Sequence, residues 1–253
     1  MTPAEDGRSV LSLRGVVCVL GERERFTLSI EAFDVVRGEA IALAGPSGSG
    51  KSTIMNLLAL ARRPASVGQF HFFPRRGQGY DIGALWDAGD DDGLTAIRAA
   101  HLGYVLQQGG LLPYLSVRQN IALGQSILGE RDSRRLEDIA GRLEIAKLLD
   151  RAPAALSVGQ RQRAAIARAL VHRPDLVLAD EPTASVHPSI AAEILGLLVE
   201  LCIEEAATVV VATHDPELAN RKGFEIIDVD SVAGAEHAEC SILARMAPAG
   251  RSP

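Results

Sequence analysis

The stretch Ala40-Ile41-Ala42-Leu43-Ala44-Gly45-Pro46-Ser47-Gly48-Ser49-Gly50-Lys51-Ser52-Thr53 decides the fold. Its first five residues read as a buried strand. The segment from Ser52 to Ala61 has helix-forming residues with an apolar face, closed by Arg62-Arg63-Pro64 as a stop. Between them the glycines and the lysine stand at phosphate-loop spacing, in the strand, loop and helix order that such a loop requires. Glycines let backbone N–H groups turn inward around phosphate oxygens, and the helix N-terminus adds positive partial charge. In that setting Lys51 reaches the β- and γ-phosphates and Ser52 ligates Mg2+. Gly45, Pro46, Ser47, Gly48, Ser49, Gly50, Lys51, Ser52 and Thr53 are the expected nucleotide-binding set.

Upstream, the apolar residues of Val10 to Val19 and of Phe26 to Phe33 recur at strand spacing and predict an N-terminal set of strands. Downstream, Gln69 to Phe73 reads as a strand, and the Gly- and Asp-rich Arg75 to Gly93 as a long surface excursion. Its Asp90-Asp91-Asp92 run lacks the Glu that closes a calcium loop and reads as a solvated acidic turn. Leu102 to Leu106 predicts a strand, and Ser116 to Leu149 helices around a charged connection at Glu130 to Arg135. From Gln160 on, a helix to His172, a strand at Leu176 to Ala179, a helix at Pro188 to Glu205 and a strand at Thr208 to Ala212 restore α/β alternation. Gly223 to Met246 reads as short strands and Ala247 to Pro253 as a frayed tail. The fold class is α/β: a P-loop NTPase core with a largely parallel sheet, an N-terminal antiparallel β portion and a helical insertion subdomain at about 112–158. All of it is expected to form a single domain over 1–253.

The chain of 253 residues suits one or two domains, and 47% hydrophobic content excludes a disordered chain. With 26 Lys and Arg against 32 Asp and Glu there is no whole-chain basic field, so nucleic acid is not an expected partner. Arg161-Gln162-Arg163, with Arg168 beyond, reads as a solvated helix face. Cys18, Cys202 and Cys240 are widely spaced and read as reduced packing residues. The opening residues lack signal-peptide order, and no run approaches a membrane span, so a soluble chain is expected.

Leu176-Val177-Leu178-Ala179 delivers two carboxylates, Asp180 and Glu181, to the end of a buried strand. Two carboxylates there suggest a division of labour: Asp180 holds Mg2+ through its water shell, while Glu181 polarises the attacking water as general base.

With these motifs and Leu156-Ser157-Val158-Gly159-Gln160 at the head of an Arg- and Ala-rich helix, the chain resembles the nucleotide-binding subunit of ATP-binding-cassette transporters. The resemblance runs from about Leu11 to Asp228. Walker A matches at Gly45 to Thr53, Walker B at Leu176 to Glu181, and the signature motif at Leu156 to Gln160 in four of its five positions. Gln107, in Tyr104-Val105-Leu106-Gln107, looks like the Q-loop glutamine, and His214, in Ala212-Thr213-His214-Asp215, like the switch histidine. The resemblance implies an Mg2+-dependent ATPase in which Gln107 contacts the metal or water and senses the membrane partner, while His214 hydrogen-bonds the γ-phosphate. It also implies that Ser157, Gly159 and Gln160 act in trans on ATP held by a second ATPase subunit, most simply in a homodimer. The further implied partner is a separate transmembrane permease, with the chain peripheral on the cytoplasmic face of the cell membrane.

Three positions depart from the family pattern. Val158 replaces the first signature glycine, where a β-branched residue resists positive φ and crowds a phosphate. His187 stands where the D-loop aspartate is expected. Leu20 occupies the position of an adenine-stacking aromatic, with Phe26 as a weak substitute. Leu111-Leu112-Pro113-Tyr114-Leu115-Ser116-Val117 with Asn120-Ile121 looks like the lipoprotein-releasing and macrolide-exporting branch. An ATP-dependent regulator of a cell-envelope partner, without transport, is the alternative. A chromosome-type cassette is disfavoured because no long coiled coil separates the Walker motifs.

Overall fold

Two sheets carry the fold of the computed structural model, which describes residues 8–20, 26–184, 186–229, 231–233 and 238–242. The strands are β1 (Ser9–Leu20), β2 (Phe26–Val36), β3 (Ala40–Ala44), β4 (Gln69–Phe72), β5 (Tyr80–Asp81), β6 (Leu102–Val105), β7 (Leu176–Asp180), β8 (Thr208–Thr213), β9 (Glu225–Asp228), β10 (Ser231–Ala233) and β11 (Ala238–Ile242). The helices are α1 (Lys51–Leu58), α2 (Ile82–Ala88), α3 (Asp91–His101), α4 (Val117–Ile127), α5 (Ser133–Arg142), α6 (Val158–Leu170), α7 (Pro188–Glu204) and α8 (Pro216–Arg221).

One sheet, ordered β6-β7-β8-β3-β9, is parallel throughout. The other, β10-β11-β2-β1-β4-β5, is antiparallel except where β11 runs parallel to β2. The parallel strands are apolar on both faces because both are covered, and successive residues enter different cores. Ala42, Val177, Ala179, Val209 and Val211 join a cluster with α6, α7 and the helical insert. Ile41, Leu43, Leu176, Leu178, Val210 and Ala212 join α1 and the inner face of the antiparallel sheet.

Residues 112–158 contain α4, α5 and two short 3-10 turns at Ala146–Leu148 and Pro153–Ala155. Their buried Val117, Ile121, Leu136, Ile139, Leu143 and Leu149 belong to the same apolar cluster as α6 and β7. The helices α4 and α6 each open on a capping box, Ser116 with Gln119 and Ser157 with Gln160. Such reciprocal bonds satisfy two orphan donors at a helix start.

The stretch 75–93 is not a plain surface excursion. It holds β5, α2 and the start of α3, because its Asp and Gly residues are helix punctuation. Asp81 accepts from Ala84 N at 3.0 Å and caps α2, Gly89 ends that helix at φ 67°, and Asp90 accepts from Gly93 N to cap α3. Asp91 and Asp92 lie in the first turn of α3, where carboxylates favour the helix dipole, so the acidic run is a helix start and not a turn. The core-facing residues are Ile82, Trp86, Leu94 and Ile97. The tail at 247–253, expected to fray, lies outside the described residues. Among the described residues no helix is long and apolar enough to cross a membrane.

Candidate nucleotide site

The strands β7, β8 and β3 are neighbours, with Asp180 opposite Ala212 and Thr213 opposite Ala44. The loop after β3, the carboxylates at the end of β7 and the histidine after β8 therefore emerge together at the carboxyl ends of the parallel strands. This is the crevice outside the carboxyl ends of the strands, where ligands bind in open α/β sheets. A cavity of about 560 Å³ joins Gly48, Lys51 and Ser52 to Gln107, Glu181 and His214.

The phosphate-loop residues 45–53 pass from β3 into α1, with Gly50 at φ 98° as the N-cap. A Cβ at Gly45 would lie 2.5 Å from the carbonyl oxygen of Val229, so only glycine fits against the chain after β9. Lys51 is buried, and its Nζ donates to the carbonyls of Gly45 (2.7 Å) and Pro46 (2.8 Å). Burial pushes its pKa down, while Glu181 and Asp180 pull it up. Ser49 Oγ is buried without a hydrogen-bond partner, and Ser47 and Gly48 are exposed at the mouth.

Ser52 Oγ lies 3.4 Å from Asp180 Oδ1. A hydroxyl and a carboxylate side by side are hard oxygen donors of the kind Mg2+ takes alongside substrate phosphates. The orphan Ser49 hydroxyl adds a donor suited to phosphate oxygens, beside the N-terminus of α1. The residues present fit a magnesium-nucleotide complex.

Glu181 departs from β7 with φ 47°, a left-handed conformation that costs a non-glycine residue about 1 kcal/mol. Its N–H still donates to Ala212 O (3.0 Å), fixing the turn against β8. One carboxylate oxygen accepts from Gln107 Nε2 at 3.2 Å, and the other lies against His214 Nε2. His214 is presented by a turn in which Thr213 Oγ1 accepts from Asp215 N and Asp215 caps α8 through Leu218 N. The structure thus brings Gln107, Glu181 and His214 together.

The signature residues stand apart from this cavity. Ser157 Oγ accepts from Gln160 N, and Gln160 Oε1 from Ser157 N, at the head of α6. A Cβ at Gly159 would lie 3.1 Å from Ile190 Cγ2. Val158 is the first residue of α6 and is not among the residues with positive φ, so the expected conflict with its β-branch does not arise. Its side chain is 40% exposed beside the helix N-terminus, which leaves crowding as its only effect. His187 caps α7, its Nδ1 accepting from Ser189 N at 3.4 Å. The side chains of Leu20 and Phe26 lie outside the described residues.

The basic stretch on α6 is not a solvated face. Gln162 and Arg163 are buried, Arg163 pairs with Glu144 (2.9 Å) and Glu193 (2.8 Å), and Arg161 donates to Leu156 O. Arg168 donates to the carbonyls of Gly109 (2.9 Å) and Gly110 (2.8 Å), holding the chain just past Gln107, and burial lowers its pKa. These guanidinium groups find main-chain carbonyls and carboxylates that only the folded insert supplies. Tyr104 on β6, whose hydroxyl pKa is raised by burial and then by Asp180, is a neighbour of the site that sequence reading missed.

Comparison with known proteins places these features in context. Residues 28–184 match the family described as ABC transporter. The lipoprotein-releasing system ATP-binding protein LolD of Gluconobacter oxydans is 37% identical over 226 residues, covering 87% of this chain and 94% of that one. The macrolide export ATP-binding/permease protein MacB of Rhodopirellula baltica is 42% identical over 199 residues, covering 77% of this chain but only 27% of that longer protein. Among solved structures, the dimeric post-hydrolysis state of the ATP-binding cassette MJ0796 bound to ADP and Pi superposes with a TM-score of 0.71 at 32% identity, covering 86% of this chain and 93% of that one.

Proposed function

The chain belongs to the ABC transporter family and is an ATP-hydrolysing subunit of a transporter, and we propose that it drives a separate membrane permease by closing on a second copy of itself around Mg-ATP. The observation that carries this reading is the convergence of the phosphate loop, Asp180 with Glu181, and His214 on the ends of three adjacent strands. The matched relatives are transporter ATPases, which sets aside a regulator without transport.

In this reading Lys51 balances the charge of the terminal phosphates, and the loop N–H groups orient them. Ser52 and Asp180 would hold Mg2+, which when bound would supply positive charge against the phosphate oxygens. Glu181 accepts a proton from the attacking water at its carboxylate. His214 positions the Glu181 carboxylate through Nε2 and lines the cavity on the side of the phosphate loop. Gln107 holds the opposite carboxylate oxygen, so the base is gripped from both sides. Ser157, Gly159 and Gln160 present the head of α6 to nucleotide held by the second copy, their capping box having pre-formed that helix end. The chain then works peripherally on the cytoplasmic face of the membrane.

The test is to recover the chain with its membrane partner, reconstitute both in vesicles, and measure Mg-ATP hydrolysis and cargo movement together. Hydrolysis with cargo movement bears the proposal out. Hydrolysis that no membrane partner alters refutes it.

A further inference from the structure

A second cavity, of about 340 Å³, opens at the amino ends of β6 and β7, lined by Arg75, Arg76, Ala100, His101, Arg173 and Asp175. Asp175 immediately precedes β7, so its side chain and the Asp180 carboxylate stand at opposite ends of one strand, about 16 Å apart at the usual rise per residue.

The floor of this cavity is already built. The Asp175 side chain is only 7% exposed and takes Arg75 Nε at 2.9 Å, His101 Nδ1 at 2.8 Å and Arg37 Nη1 at 3.5 Å. Burial alone would raise its pKa, but the bonds from His101 and Arg75 outweigh burial and hold it below the ordinary carboxylate value. Arg75 also donates to the carbonyls of Arg173, Pro174 and Glu205, so its guanidinium is locked in place with its charge intact. Because a carboxylate accepts, the His101 ring carries a proton on Nδ1, directed at Asp175.

Charge is then left over. Four guanidinium groups, on Arg37, Arg75, Arg76 and Arg173, meet two carboxylates, Asp175 and the Asp132 that lies 3.5 Å from Arg173. The nearby Glu205 carboxylate is taken by Arg135. Among the described residues Arg76 has neither a hydrogen-bond nor an ion-pair partner, and Arg173 is 56% exposed. Two unmatched positive charges in the cluster, with the exposed forks of Arg76 and Arg173 over the fixed Arg75 and inside a chain of net charge −6, are matched by a dianion.

From this juxtaposition we infer that the cavity around Asp175 is a binding site for a phosphate monoester, separate from the nucleotide site and at the opposite end of β7. A carboxylate ligand would leave one charge unmatched, while a phosphate monoester near neutral pH carries close to two. Arg76 and Arg173 supply the fork, and Arg75 fixes the floor.

The test uses the full chain with its phosphate loop saturated by Mg-ADP, so that only the second site is read. Inorganic phosphate and glycerol 3-phosphate are titrated and followed by phosphorus NMR and by calorimetry. In parallel, co-sedimentation is measured with phosphatidylcholine vesicles containing phosphatidic acid. Saturable binding of the soluble probes, weakened at least about tenfold in Arg76→Glu/Arg173→Glu and retained in Lys51→Ala, supports the site with a free phosphate ligand. Vesicle binding that the same double variant loses, and that glycerol 3-phosphate competes away, supports it with a lipid headgroup as source. Arg76→Ala, which removes an exposed and unpartnered side chain, gives the same comparison if the double variant is unstable. Equal binding by wild type and variants in both arms, or no saturable binding in either, overturns the inference.

Discussion

The Glu181 carboxylate lies against His214 Nε2, joining the ends of two adjacent parallel strands, while its other oxygen is held by Gln107 at 3.2 Å. Glu181→Gln keeps the side chain's shape and hydrogen-bonding reach but removes its ability to accept a proton. Nucleotide binding is expected to persist, with hydrolysis slowed at least about a hundredfold. Size-exclusion chromatography with ATP should show a trapped dimer; a monomeric variant with normal turnover would remove Glu181 as the base.

Lys51 places a buried ammonium on the Gly45 and Pro46 carbonyls, within the loop that would hold phosphate. Lys51→Ala replaces it with a methyl group, and most Mg-ATP affinity should vanish in an equilibrium titration. Unchanged affinity would rule out the phosphate-loop assignment.

Val158 sits on the first turn of α6 without backbone strain, its side chain half out in solvent where the helix N-terminus is presented. If that side chain keeps the helix off its phosphate partner, Val158→Gly raises steady-state ATPase by about tenfold, the equivalent of roughly 1.4 kcal/mol. The assay is run with the membrane subunit present. Equal or lower activity counts against crowding.

Asp175 is the anionic centre of the clamp that joins Arg37, Arg75 and His101. Its pKa is lowered in the folded chain from an ordinary value of 3.8, so its stabilising contribution is complete above that value and is lost as pH falls through the folded one. Asp175→Asn is expected to cost about 2 kcal/mol in urea unfolding at pH 7, discounted for the part-exposed arginines. The gap between variant and wild type should close below about pH 4. A gap that stays constant with pH would show that the charge is not what matters.

What sequence could read was whatever depends on local order. The phosphate loop needs its glycines, lysine and flanking strand in one unbroken run, and the run from Leu176 to Glu181 ends a buried strand in carboxylates, so both were legible. Asp81, Gly89 and Asp90 misled because the same residues serve as loop formers and as helix caps, and only the buried Ile82 and Trp86 tell the two apart. Arg163 and Arg168 were misread for a different reason. Their partners, Glu144, Glu193 and the carbonyls of Gly109 and Gly110, come from distant parts of the chain, and a helix read alone gives a charged side chain no destination but water. Which residues converge around Glu181 was set by strand order, which no local pattern contains.

That strand order has a metrical consequence. Because β8 runs between β3 and β7, the strand ends that launch the phosphate loop and the two carboxylates are held two strand spacings apart, about 10 Å. Main-chain hydrogen bonds set this span, and side chains only furnish its two ends. Replacing Glu181, Asp180 or His214 alters what happens within the gap while leaving its width alone. Widening it would require breaking a ladder in the middle of the molecule. Reactivity in this chain can therefore drift residue by residue, whereas the spacing of the strand ends that frame the site is fixed by the backbone.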